Sequence, residues 1–222
     1  MQFLVDYSQE KDIQNYLNAG WKFTYAKHGR KDLPEKLLQN YPQEFKNRLL
    51  EAKTKIVAEK IVKDFLDSRS EDFKRITKLV IKVCQEVLDE EKQNIIDLLQ
   101  EIYQKPFPFE KITVYITTFP ICPYNYEERW FMVYRNMNIS GFINTAKHEL
   151  NHFMFYYYYL DKLIKQKVSL EKREKLKEAL GIFSNPEGND KPKVKELESY
   201  LKTLKGKAMD EIISLAIKSK YL

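Results

Sequence analysis

Two histidines stand four residues apart in the segment His148-Glu149-Leu150-Asn151-His152. On a helix, this spacing places both imidazoles on one face, one turn apart, which is the separation that a single tetrahedral zinc ion requires of two ligands. The carboxylate of Glu149 would lie beside the pair, where it can take a proton from metal-bound water, whose pKa falls from about 15.7 to near 7. The segment therefore predicts one zinc ion, with Glu149 as a general base and not as a ligand.

The residues around this motif indicate which face of its helix is buried. We expect the helix to run from about residue 143 to 165. Its apolar residues cluster on the side away from the two histidines: Ala146, Leu150, Phe153, Met154, Tyr157 and Leu160. A helix that binds metal in a cleft should bury its opposite face in the core, so the histidine face is predicted to line a cleft. The alternative is a pair of surface histidines on an amphipathic helix.

The secondary structure predicted around this helix changes from helices to strands near residue 105. Apolar residues at three- and four-residue spacing predict helices from about 32 to 104, with Ser70 capping one of them. Pro106 and Pro108 end this region. Residues 112–119 and 129–134 are rich in β-branched and aromatic side chains, which predicts two strands, the second of them an edge strand beside the cleft. Helices are expected again near 170–183, 194–204 and 208–220.

The predicted fold class is therefore α+β, with a small mixed or antiparallel sheet beside the motif helix and a mostly helical N-terminal half. We expect residues 1–105 to form the helical portion and residues 106–222 the portion that holds the site, within one compact unit.

The amino-acid composition limits the classes of partner that we expect for this protein. The net charge is +6, but basic residues alternate with acidic ones, as on a solvated helix face, so no nucleic-acid partner is expected. No segment resembles a signal peptide or reaches the roughly 20 apolar residues of a membrane helix, which predicts a cytoplasmic protein without a membrane partner. Cys84 and Cys122 are expected to be unpaired and structural.

The two strands, the motif and the later acidic helix resemble the catalytic half of the zincin metallopeptidases, in particular the gluzincins, over residues 112 to 185. The resemblance implies a zincin-like fold and hydrolysis of peptide bonds in a peptide or protein substrate. Metzincins are excluded, because they carry a Gly and a third His shortly after the pair, where this chain has Phe155 and Tyr158.

The resemblance also implies a downstream glutamate as the third zinc ligand. Glu178 is the favoured residue, because gluzincins place this glutamate on the helix after the motif helix, often before a small residue. A solvated Glu178 is the alternative. Glu171 and Glu174 lie on the same face, in a lysine-rich context typical of ordinary surface, and His28 would be an unusual ligand from far upstream. The family's second-shell acid, about four residues later, is replaced here by Ile182, so Ser184, Asn185 or a backbone carbonyl would have to orient the imidazole.

Aromatic residues near the motif are candidates for substrate binding. Phe155, Tyr156 and Tyr159 lie on the histidine side of the helix, and Tyr134 ends the predicted edge strand. Core packing is the alternative explanation for the run 153–159. The family's oxyanion-stabilising residue is unassigned among Tyr156, Tyr159 and Tyr200.

Two other functions use the same residues. One is a metal-dependent hydrolase that acts on a different amide or ester, since the water-activating groups would be identical. The other is a catalytically inactive zinc-binding regulatory protein. An open fourth position argues against the latter, because structural zinc sites are closed and usually rich in thiolates.

Overall fold

A computed structural model describes residues 1–21, 33–185 and 194–222 of the chain. Its fold class is α+β, with a small mixed sheet, as the sequence predicts. The described elements are, in chain order, β1 (Gln2–Asp6), α1 (Gln9–Tyr16), a π-helical segment (Leu17–Trp21), α2 (Leu33–Leu37), α3 (Gln43–Glu51), α4 (Lys55–Asp67), α5 (Glu71–Tyr103), β2 (Lys111–Thr117), β3 (Tyr124–Asn125), β4 (Trp130–Tyr134), α6 (Ile139–Lys165), α7 (Leu170–Ser184), α8 (Lys195–Lys202) and α9 (Met209–Lys218). None of the described helices is both long enough and apolar enough to cross a bilayer.

The chain divides into two compact units that are built from interleaved segments. The motif unit consists of residues 1–2, 87–111 and 139–222, and the sheet unit of residues 3–86 and 112–138. The expected boundary between residues 105 and 106 does not match this division, because the strands at 112–134 belong with the N-terminal helices. The grouping depends on contacts between segments that are far apart in the sequence. The change in composition at the prolines does not predict such contacts.

The strand order in the described sheet is β1-β2-β4-β3. β2 and β4 are parallel, with Thr113 opposite Trp130, whereas β3 and β4 are antiparallel. The prediction that strand 129–134 is an edge strand is therefore wrong, since β4 lies between β2 and β3. The sequence did not reveal β3, because two residues are too few to show an alternating pattern. β1 was not predicted either.

Helix boundaries follow local signals that the sequence contains. The Ser70 hydroxyl accepts a hydrogen bond from the Phe73 amide at 3.2 Å, which confirms the predicted cap at the start of α5. Ser169 caps α7 in the same way, accepting from the Lys172 amide at 3.3 Å. α5 ends at Tyr103, shortly before the first proline of the segment 105–109.

The sheet unit packs its helices around aromatic rings. Tyr16 is fully buried and makes edge contacts with Tyr41 and Phe45, while Phe45 and Phe65 stack with ring centroids 3.9 Å apart. Such pairs add to the free energy gained from burying their area. This cluster fixes α1, α3 and α4 within the unit.

α6 occupies the centre of the motif unit, where every residue from 149 to 155 is buried. The Phe109 ring meets the Phe153 ring edge-on at 5.8 Å, and the Tyr103 hydroxyl donates to the Asn151 carbonyl at 3.0 Å. Ala146, Leu150, Phe153 and Met154 are fully buried as the helical pattern predicts. Two residues depart from the prediction: Leu160 is only partly buried, and Tyr157 is 53% exposed. Its ring meets Phe109 edge-on instead, leaving its other side to solvent.

Candidate metal centre

α6 brings the two motif histidines together on one face. Their ring centroids are 4.2 Å apart, so the imidazoles project in the same direction from consecutive turns. The side chain of His152 is 1% exposed and that of His148 is 23% exposed. One imidazole is therefore fixed within the unit, while the other is in contact with solvent.

α7 contributes the third group. Glu178 Oε2 lies 3.6 Å from His148 Nε2 and 3.9 Å from His152 Nε2. In a tetrahedral zinc site with bonds of about 2.0–2.1 Å, neighbouring ligand atoms are about 3.4 Å apart, so these separations are close to those that zinc requires. Among the described residues, His148, His152 and Glu178 form the group that could hold a metal, and we call it the triad. His28 lies outside the described residues.

Burial controls the protonation of His152. The pKa of His152 is lowered to about 4; desolvation is the largest cause, the nearby His148 adds to the decrease, and the contact with Glu149 partly offsets both. The imidazole is consequently neutral at pH 7, with a lone pair available to a metal. Neutral imidazole is the form that binds divalent ions, so no proton has to leave this ligand first.

Glu149 is buried and lies on the other side of the His152 ring from Glu178. Its Oε2 lies 3.3 Å from His152 Nδ1. A carboxylate beside Nδ1 favours the tautomer with the proton on Nδ1, in which Nε2 carries the lone pair that a metal would bind. The sequence predicted only a base at Glu149, and this contact adds an orienting role.

Ser184, one of the groups expected to replace the family's second-shell acid, bonds within its own helix instead. The Ser184 hydroxyl donates to the carbonyl of Gly181 within its own helix, at 3.1 Å. Gly181 instead meets His148 directly, because a Cβ added there would lie 3.1 Å from Nδ1 of that ring. The absence of a side chain at Gly181 thus allows α7 to pack against the first histidine.

Next to the triad is a polar cluster that the sequence did not predict, which we call the Lys177 network. Lys177 is only 2% exposed, and its Nζ donates to Glu174 Oε2 at 2.7 Å. Tyr156 donates to the other oxygen of Glu174 at 2.9 Å, and Lys177 Nζ lies 3.5 Å from Glu178 Oε1. The sequence did contain one indication of this cluster. Tyr156 lies one helical turn after His152, and Glu174 one turn before Glu178, so both share a helix face with a triad residue.

The remaining candidates for substrate binding occupy different places. Phe155 and Tyr159 are buried, with ring centroids 6.2 Å apart, which supports the alternative of core packing. Tyr156 belongs to the Lys177 network. Tyr134 ends β4 in the sheet unit, and Tyr200 lies on α8 with its ring 5.2 Å from that of Tyr221.

Comparison with protein families, with curated proteins and with solved structures finds no match to this chain.

Proposed function

We propose that this protein is a zinc-dependent metallopeptidase with a zincin-like site, in which His148, His152 and Glu178 hold one zinc ion and Glu149 handles the proton. The single observation that carries the proposal is the convergence of the three side chains, from two helices, on a common point. The motif alone supplied two ligands and a carboxylate. The position of Glu178 supports it as the third ligand that the resemblance implied.

The donor set suits zinc. Two imidazole nitrogens and one carboxylate oxygen are the His₂Glu combination found in catalytic zinc sites, which leave a fourth position open. When bound, zinc would polarise a substrate carbonyl and lower the pKa of a coordinated water. The exposed fractions of His148 and Glu178, 23% and 19%, mean that solvent reaches two of the three ligands. A structural site would instead be closed, so a catalytic role is favoured over a regulatory one.

Glu149 supplies the acid–base chemistry. Its carboxylate would take a proton from the attacking water and pass it to the amine that leaves when the peptide bond breaks. Its Oε2 lies 3.3 Å from His152 Nδ1, on the ring edge away from Nε2, so general-base action requires this carboxylate to turn toward the fourth position when metal and water bind.

The test is to compare the wild type with Glu149→Gln, with zinc content and hydrolysis measured separately. Glu171→Gln, at an exposed position on α7, is the matched control. We expect purified wild type to carry one zinc per chain and to cleave casein or a peptide library. Glu149→Gln should lose roughly 10²- to 10⁴-fold in kcat/KM, the typical contribution of a general base. Its zinc affinity should fall by no more than about 100-fold, the usual effect of an outer-shell partner.

Three results would change the assignment. Wild type that binds zinc but cleaves neither proteins nor peptides would point to the regulatory protein. Turnover of simple esters or non-peptide amides alone would identify the other hydrolase. Equal activity in wild type and Glu149→Gln would remove Glu149 from the chemistry.

A further inference from the structure

The two oxygens of Glu178 face different partners. Oε2 faces the Nε2 atoms of both histidines, at 3.6 and 3.9 Å, whereas Oε1 lies 3.5 Å from the ammonium group of Lys177. A carboxylate can bind a metal through one oxygen or through both, and in the second case it takes up an additional coordination position. What holds Oε1 therefore determines how many positions the triad leaves open.

We propose that Lys177 is a positioning residue that holds Oε1 of Glu178 and so makes this ligand bind through Oε2 alone. The inference rests on the proposed metal centre and extends it. For Glu178 to bind through both oxygens, Oε1 would have to leave the ammonium and turn toward the imidazoles. Lys177 thus keeps the fourth position available for water and substrate.

The surroundings of Lys177 support this role. A lysine that is 98% buried has lost most of its hydration, which is costly unless charged and polar acceptors replace it. Glu174 Oε2 and the Tyr156 hydroxyl lie 2.7 and 3.4 Å from the Lys177 ammonium, and Glu178 Oε1 lies 3.5 Å from it. Glu174 itself is 37% exposed and does not need a buried partner. A surface pair would satisfy Glu174 equally well, so pairing with Glu174 does not by itself explain why this lysine is buried.

Cobalt substitution gives a readout that is independent of activity, because the visible d–d absorption of Co²⁺ is intense in four-coordinate sites and weaker when a fifth ligand is added. The comparison uses wild type, Lys177→Met and Glu174→Gln, each titrated with Co²⁺ and monitored by circular dichroism for folding. Both substitutions break the Lys177–Glu174 pair, but only Lys177→Met removes the cation from Glu178. The spectrum is a better readout than affinity, since removing a cation and releasing a ligand oxygen shift affinity in opposite directions.

We expect the intense spectrum in wild type and Glu174→Gln, and a band weaker by about twofold or more in Lys177→Met as the site becomes five-coordinate. If Lys177→Met does not fold, the double variant Lys177→Met/Glu174→Gln removes the buried pair as a whole, a change that proteins often tolerate, and should show the same weak band.

An unchanged spectrum in a folded Lys177→Met or double variant would overturn the inference and leave the metal centre intact. Equal changes in Lys177→Met and Glu174→Gln would also overturn it, since the pair would then act only as a structural contact. If the wild type binds no Co²⁺ and no zinc, the proposed function and this inference fail together.

Discussion

Gly181→Ala should weaken zinc binding without lowering the stability of the metal-free fold. The new Cβ would lie 3.1 Å from His148 Nδ1 and 3.3 Å from its Cε1, whereas ordinary contacts begin at 3.4 Å. The ring must therefore move by a few tenths of an ångström. Because His148 is 23% exposed, it can move toward solvent at a cost that offsets only part of the helical gain from alanine. Metal–ligand distances tolerate only about 0.2 Å, so a shift of this size should weaken zinc binding at least about tenfold, or about 1.4 kcal/mol.

The effect on the fold has the opposite sign. Gly181 is inside α7, and alanine is more favourable than glycine in a helix interior by about 1 kcal/mol. We expect the metal-free variant to unfold in urea with a free energy equal to or above that of the wild type. The measurements are urea unfolding followed by circular dichroism and zinc affinity by competition with a chromophoric chelator.

A double-mutant cycle with His148→Ala isolates the contact. Without the imidazole, nothing opposes the new methyl group, so Gly181→Ala should then yield the full gain of about 1 kcal/mol. Wild-type zinc affinity in Gly181→Ala would refute the reasoning. So would an identical stability change in the presence and absence of the imidazole, because the ring and the helix would then not be in contact as described.

Two further predictions concern the sheet unit. The buried carboxylate of Asp12 accepts hydrogen bonds from the hydroxyls of Thr117 and Thr118 and from the Thr118 amide, at 2.6 to 3.1 Å. Asp12→Ala should therefore lower the free energy of unfolding by about 3 kcal/mol. A loss below about 1 kcal/mol in urea unfolding would contradict this. Burial raises the pKa of the Cys84 thiol to about 11, so its alkylation in a Cys122→Ser variant should accelerate about tenfold per pH unit from pH 8 to 10, as the thiolate fraction grows. The alkylation rate is measured by mass spectrometry. A rate that stops rising below pH 9 would mean that the thiol is not buried.

Local features of the sequence were sufficient for most helices after residue 32 and for half of the site, whereas α1 was not predicted. Spacing placed His148 and His152 on one face, since a helix repeats every 3.6 residues wherever it occurs. Ser70 fixed the start of α5 because a cap acts on amides only three residues away. The helices at 170–184, 195–202 and 209–218 were anticipated within a few residues by periodicity and turn residues. Glu178 was singled out by resemblance and not by the helical pattern, which places it opposite the apolar face of α7.

Only the tertiary structure determined the rest, because those features depend on contacts between distant segments. The sequence contains no signal that pairs β4 with β2 on one side and β3 on the other, so the edge strand was misplaced. The sequence pattern indicated only one role for Glu149, whereas packing places that carboxylate beside Nδ1 of His152. Its lysine-rich surroundings also made Glu174 look like ordinary surface, and nothing in the pattern singled out Lys177. Whether a lysine on a charged helix is solvated or buried depends on which helix packs against it, and here α6 does so with Tyr156.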